Sequence, residues 1–263
     1  MAVINTEKWL EQSYDDPREI CRKIRPYVKH LSDRDLFRYL TLHGMYRRPM
    51  IKKEQLLSHL KENNIWKVMQ KELHYLQKKW KGPDVNIFIL PVDSEKRLIE
   101  EDLKGKSGLV FQGNLFLFFG EIHDIKEAQA LFTHEYHHLC RLRHGPRKEK
   151  DYRLLDAMIL EGLAEQAVKE RFGKKYNAGW VSYYTPKQLE KMWNDLLFPY
   201  RNIKTSHRKY EPLMYGTGFY PRYLGYSVGY YLVQKFCRTR QHTSTSLLDE
   251  KAEKIAQVQA ESE

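Results

Sequence analysis

Residues 134–138 read His-Glu-Tyr-His-His, which sets two imidazoles four positions apart with a carboxylate beside the first. On a helix, positions i and i+4 lie one turn apart on the same face, so His134 and His138 can aim their ring nitrogens at one point. Glu135 sits about 100° further round, beside that point and not on it. Two converging imidazoles make half of a metal site. A neighbouring carboxylate can take a proton from water and pass it to a leaving amine. The H-E-x-x-H spacing has moderate specificity by itself, so its context has to support it.

A catalytic zinc takes three protein ligands and keeps one position open. The next helical stretch offers Glu161, within Leu160-Glu161-Gly162-Leu163-Ala164-Glu165. Helical rise puts the histidine pair roughly 10 Å before the end of its helix and Glu161 roughly 15 Å into the next. An antiparallel fold at residues 144–150 brings them to similar depth, and Gly162 and Ala164 are small enough for a close approach. Leu155, Met158, Ile159, Leu160 and Leu163 surround Glu161 in sequence, and a carboxylate buried there needs a partner. Glu165, four residues on, shares its face and can accept the second ring N–H of a ligand histidine. The expectation is one zinc per chain on His134, His138 and Glu161, with Glu135 as base. The rival is a surface helix with adjacent histidines and solvated glutamates. His137 faces elsewhere and reads as a packing or supporting residue; His123, His144, His207 and His242 lack ligand spacing.

The elements that must carry these residues can be traced along the chain. Residues 5–81 read as short helices, the clearest from Asn64 to Trp80, where Ile65, Met69, Leu73, Leu76 and Trp80 recur three and four apart. Ser32 and Asp33 mark an earlier start, and the Gly44 region and Pro49 interrupt it. Lys81-Gly82-Pro83-Asp84 breaks the pattern and bounds a helical region at 1–82. Val85–Leu90 reads as a strand closed by Pro91. Gly108–Phe119 reads as a second β region split by a Gly113-Asn114 turn, giving a small antiparallel sheet. Its apolar arm, residues 115–119, must be covered on both faces.

From Asp124 a helix runs to about Arg143, and His144-Gly145-Pro146 ends it. Asp151 is the expected cap of the next, which stops at Gly173 after Phe172. Pro186 opens another over 187–197, and a last core helix covers 222–237. The catalytic domain is expected over 83–240 and a polar tail over 241–263, with a peripheral helix from Ser246. The class is α+β, mostly helical.

Composition narrows the function. Apolar residues make up 41% of the 263, enough for a packed core, and no run of 18 or more can span a membrane. Three widely spaced cysteines, Cys21, Cys140 and Cys237, suit free thiols in a reducing compartment and no thiolate zinc finger. With no signal-peptide pattern at the N-terminus, the expected location is the cytoplasm. Residues 1–82 hold 18 Lys and Arg against 10 Asp and Glu, so +8 of the net +11 lies there. No nucleic-acid motif accompanies that charge, and it reads as solvated helix faces. Nothing sets the oligomeric state.

His134–His138 followed by Ile159-Leu160-Glu161-Gly162-Leu163-Ala164-Glu165-Gln166 resembles the gluzincin metallopeptidases. The chain also resembles the YjaZ-like family of predicted zinc-dependent proteases known from Bacillus. That resemblance covers the β region, both metal helices and Leu224–Tyr230; the first 80 residues carry no motif of it. It implies a zincin-like fold and a peptide or protein substrate, with His134, His138 and Glu161 as zinc ligands and Glu135 as base. Thermolysin-like members place an aspartate four residues after the ligand glutamate, where this chain has Glu165. The resemblance further implies that the strand before the metal helix borders the cleft, so that residues 115–119 pair with an extended peptide.

Gluzincins also use a Tyr or His to stabilise the oxyanion. Eleven of the 18 tyrosines lie between Tyr176 and Tyr231. Tyr226, in Gly225-Tyr226-Ser227-Val228-Gly229-Tyr230, is the first choice, followed by Tyr223 and His207. Alternatively these rings only pack the last helix, with Gly225 and Gly229 allowing close contact. A zinc-binding regulatory or scaffold protein without catalysis stays open beside the peptidase, although a purely structural site has no need of Glu135.

Overall fold

A computed structural model describes residues 2–49, 53–93 and 106–259. The chain divides into two compact units, Met1–Leu139 and Cys140–Glu263.

The first unit opens with α1 (Thr6–Ser13), α2 (Pro17–Ile24), α3 (Asp33–Leu42), α4 (Lys53–Glu62) and α5 (Ile65–Trp80). Local chemistry sets several starts. The Asp16 carboxylate accepts from the backbone N–H of Arg18 and Glu19, with Pro17 in the first helical position. Ser32 Oγ accepts from the N–H of Asp35, as the Ser32-Asp33 signal predicts. The apolar stripe Ile65, Met69, Leu73, Leu76 and Trp80 is buried along α5.

The sheet comprises β1 (Asn86–Pro91), β2 (Lys106–Phe111) and β3 (Asn114–Phe119) in the order β1-β3-β2. β1 runs parallel to β3 and β2 antiparallel, so the sheet is mixed and not the antiparallel one expected. The reason is connectivity. A two-residue turn forces β2 and β3 antiparallel, whereas β1 is joined to neither by such a turn and is free of that constraint. The turn itself is Gln112-Gly113, both with positive φ (48° and 71°), one residue earlier than predicted. Asn114 instead begins β3, buried, with its Nδ2 donating to the carbonyls of Tyr27 and Gln112. All six residues of β3 are buried, as its two-faced apolar pattern demands.

Leu10, Ile20, Ile24, Leu36 and Leu40 of the first three helices share one core with Phe88, Leu90, Phe116 and Phe118 of the sheet. Alternation along β1 and β3 selects those sheet positions. The basic N-terminal helices therefore cover the sheet with their apolar sides.

After β3 comes α6 (Ile125–His144), within which the division between the units falls. In the second unit, α7 spans Leu154–Phe172 and ends at Gly173. Asp151 is not its cap. It lies in a 3-10 turn, and Asp156 in the first turn of α7 accepts the N–H of Arg153 at 2.9 Å while also pairing with Arg147. Next follow α8 (Pro186–Met192), started by a reciprocal Thr185–Gln188 cap, and a π-helical turn over Trp193–Leu197. A second such turn covers Pro212–Gly216 and leads to α9 (Leu224–Arg240) and α10 (Ala252–Ala256).

Helices α7 and α9 touch through backbone. A β-carbon on Gly162 would meet the Gly229 carbonyl oxygen at 2.4 Å, and one on Gly229 would meet the Met158 carbonyl oxygen at 2.0 Å. Gly162 thus serves contact with α9 and not the approach to the histidine helix for which its size suggested it. The C-terminal segment is held by Arg141, whose buried guanidinium donates to the carbonyls of Leu247 (3.0 Å), Leu248 (2.7 Å) and Glu250 (2.5 Å). Among the described residues no helix is long and apolar enough to cross a membrane.

Candidate active site

Helix α6 is oriented by contacts from α5 and the turn after it. Tyr136 Oη donates to the Pro83 carbonyl at 2.8 Å, and the Trp80 indole stacks on Tyr136 at 6.2 Å. Gln129 Nε2 donates to Glu72 at 2.7 Å about two turns earlier on each helix. His137 is fully buried with its ring edge-on to Trp80 at 5.1 Å, the packing role foreseen for it. With Tyr136 and His137 fixed against α5, helical geometry sends His134 and His138 to another face. Their rings stand 4.5 Å apart at 81°, one half-buried and one buried.

Glu135 projects beside them onto β2. It is 9% exposed, and its side chain lies so close to Gly108 that a β-carbon there would be 2.3 Å from Glu135 Cγ. Ser107, the preceding residue, donates to the His43 carbonyl at 3.0 Å and ties that strand to the end of α3. Gly108 was not foreseen, because a glycine in a strand gives no sign of what lies over it.

On α7, Glu161 is half-buried, and Glu165 is 3% exposed. Glu165 Oε2 accepts from Asn177 Nδ2 at 2.6 Å and from the Ala178 N–H at 3.0 Å. Asn177 Nδ2 also donates to the Glu165 carbonyl at 2.8 Å, so this carboxylate holds the 177–182 turn in place. That turn sets Trp180 edge-on to Tyr226 at 5.3 Å, and the Trp180 carbonyl accepts from Ser227 at 3.0 Å.

Tyr226 faces the charge of Glu161, as do Tyr210 and Tyr215. The Tyr215 and Tyr226 hydroxyls hydrogen-bond, with ring centroids 5.7 Å apart. Burial is the main cause that raises the pKa of all three phenols. The Glu161 carboxylate comes next for Tyr215 and Tyr226, and for Tyr210 it follows the neighbouring Tyr215, so all three stay protonated donors at neutral pH. Tyr223 stands at the left-handed start of α9 with its ring 5.7 Å from Tyr226. His207 accepts from the Lys209 N–H through Nδ1, and its carbonyl accepts from the Tyr210 N–H at 2.8 Å. Tyr210 and Tyr215 were lost among eleven tyrosines with no spacing to rank them.

One ligand atom from each of His134, His138 and Glu161 lies within 4.8 Å of the other two. Two imidazole nitrogens and one carboxylate oxygen are a donor set of catalytic zinc. Bonds of about 2.0–2.2 Å put donors of one ion within about 4 Å of each other, so small rotamer shifts close the observed spread. The residues fit the ion.

The expectation that residues 115–119 pair with substrate does not hold. β3 is central and its backbone is used on both sides, by β1 and by β2. Among the described residues β2 pairs only with β3, which leaves β2, the strand carrying Gly108, as the edge.

A helix with this histidine pair, a carboxylate at its side and a third oxygen donor defines a class of predicted metal-dependent hydrolases. Residues 65–257 match the family described as "Predicted Zn-dependent protease (DUF2268)", and the chain belongs to that family. It is 42% identical over 239 residues to the uncharacterized protein YjaZ of Bacillus subtilis (strain 168), covering 90% of this chain and 91% of that protein. The uncharacterized protein YjfC of the same organism is 26% identical over 122 residues, or 43% of this chain and 41% of YjfC. No solved structure matches the chain. The family match begins at Ile65, the first residue of α5, so it reaches further toward the N-terminus than the motifs did, and takes in the helix that clamps α6.

Proposed function

We propose that the protein is a gluzincin-type zinc metallopeptidase that holds one zinc on His134, His138 and Glu161. The observation that carries this reading is the convergence of those three donors, with Glu135 on the adjacent helical position. Bound there, zinc would supply Lewis acidity, polarising a carbonyl and making water more acidic. Glu135 takes the proton from the attacking water and delivers it to the leaving amine. Its burial against Gly108 removes rotamer freedom and holds the carboxylate in one place. Tyr226, kept neutral, donates a hydrogen bond to the developing oxyanion, with Tyr215 oriented by the same bond network. Glu165 steadies the site by fixing the 177–182 turn and supports a ligand histidine. The β2 edge offers backbone groups with which an extended peptide can pair. Cys21, Cys140 and Cys237, all buried and in no disulfide, fit a reducing compartment, in keeping with a cytoplasmic enzyme.

The test is elemental analysis beside turnover on a broad peptide mixture for the wild type, His138→Ala, Glu161→Ala and Glu135→Gln. The expected result is about one zinc per chain, weakened in the first two variants and retained in Glu135→Gln, which loses turnover. Full activity in Glu135→Gln sinks the mechanism, and undiminished zinc in Glu161→Ala sinks the ligand set. Zinc without turnover in the wild type would leave a metal-binding regulator or scaffold.

A further inference from the structure

Phe219 is completely exposed, at 106% of its reference area, on a loop that is otherwise tightly held. The loop is closed by the Tyr223 N–H donating to the Tyr215 carbonyl at 2.9 Å. Its base is seated by Leu213 and Met214, both in the core of the second unit. Gly216, at φ +71°, packs so closely on Pro221 that a β-carbon would lie 1.9 Å from its carbonyl oxygen. Tyr184 Oη donates to the Arg222 carbonyl at 2.9 Å, pinning the far arm. Gly218, at φ +68°, turns the chain just before the tip.

Single exposed apolar residues are ordinary on protein surfaces. What distinguishes Phe219 is the loop that carries it. The base residue Tyr215, 44% exposed, packs its ring against that of Tyr226, and the Glu161 charge acts on both phenols. Rings continue from Tyr215 to Tyr226, Tyr223 and Tyr183 at centroid spacings of 5.7, 5.7 and 6.2 Å, and Tyr183 is again exposed. A run of rings thus joins Tyr215 and Tyr223, the two ends of the loop that carries Phe219, to Tyr226.

We propose that the 215–223 loop is a substrate-recognition element on which Phe219 receives an aromatic or large aliphatic side chain of the peptide near the bond to be cut. This rests on the peptidase reading. An apolar side chain is the complement, because a fixed, solvated ring gains most by covering another apolar surface.

The test uses full-length, zinc-loaded protein and acetylated, amidated decapeptides of Ala, Ser, Lys and Glu. One parent lacks aromatics, and the others carry a single Phe at each position in turn. Cleavage is followed by mass spectrometry in the wild type, Phe219→Ala and Phe219→Leu, and binding by calorimetry with and without Phe219→Ala in the Glu135→Gln background. Unchanged melting temperature and zinc content show that the fold persists. The expected result is a wild-type preference for Phe at one position of about tenfold or more in kcat/KM. Phe219→Ala loses most of that preference and Phe219→Leu keeps much of it. An undiminished preference in Phe219→Ala overturns the proposal while leaving the peptidase reading intact. If the wild type cuts no peptide, the peptidase reading fails and calorimetry decides the contact. About tenfold weaker binding of the Phe peptides alone, caused by Phe219→Ala, supports it; equal or absent binding overturns it. Phe219-dependent sedimentation with phosphatidylglycerol vesicles, with peptides indifferent, overturns it in favour of a bilayer surface.

Discussion

Gly108 lies directly against the side chain of Glu135: a β-carbon at that strand position would sit 2.3 Å from Cγ and 2.5 Å from both the carboxyl carbon and Oε1. The strand therefore forms a wall for the carboxylate proposed as the base. Gly108→Ala is expected to displace Glu135 by the order of an ångström and lower kcat by about 10- to 100-fold, since misplacement on that scale is costly. Zinc content and the urea midpoint should change little. Wild-type kcat in a folded, metal-loaded Gly108→Ala protein would rule out a positioning role.

Glu165 holds Asn177 and the Ala178 N–H in a buried setting. Truncation to Ala strands both donors, at about 1–3 kcal/mol for each buried group left unpaired. Glu165→Gln keeps one acceptor oxygen and is expected to recover part of the stability. A supporting role toward a ligand histidine adds a second expectation, about 10- to 100-fold weaker zinc binding in Glu165→Gln. Urea melts measure the first and zinc competition against a chelator the second. Unchanged zinc affinity would confine Glu165 to holding the turn.

The contact of Gly229 with the Met158 carbonyl leaves no room for a methyl group. Gly229→Ala is expected to push α9 from α7 and cost about 1–3 kcal/mol, the usual penalty for overpacking. Glu161 and Tyr226 lie on these two helices, so zinc affinity should fall along with stability. The check is a denaturant midpoint beside a zinc titration. A variant as stable as the wild type would mean that the helices separate without cost.

Arg141 gives its charge to three backbone carbonyls of the C-terminal segment. Replacing it with Met retains bulk but leaves those acceptors unserved, for an expected loss of about 3 kcal/mol. Limited proteolysis should then cut between residues 241 and 259 well before it cuts the rest of the chain. Equal protection in the variant would show that apolar packing by Leu247 and Ile255 suffices.

What the sequence determined by itself is local. The His134–His138 pair, the stripe from Ile65 to Trp80 on α5 and the caps at Ser32 and Gly173 follow from helical periodicity and from groups a few residues apart. The ends of α6 came within a residue or two, for the same reason. Tertiary structure decided what those rules do not reach. Asp156 displaced Asp151 as the stabiliser of the α7 start because Arg147 draws it there, and Gln112 took the turn because Asn114 is needed by Tyr27. β3 became the central strand through pairing with β1, a partner 28 positions away in register. Gly162 met Gly229, and Gly108 met Glu135, across separations far beyond the reach of helical or strand periodicity. A side chain's type and spacing specify which face of its own element it occupies. Which foreign backbone comes to lie against that face depends on the packing of the whole chain, and a glycine's missing side chain records the closeness of that approach without naming the neighbour.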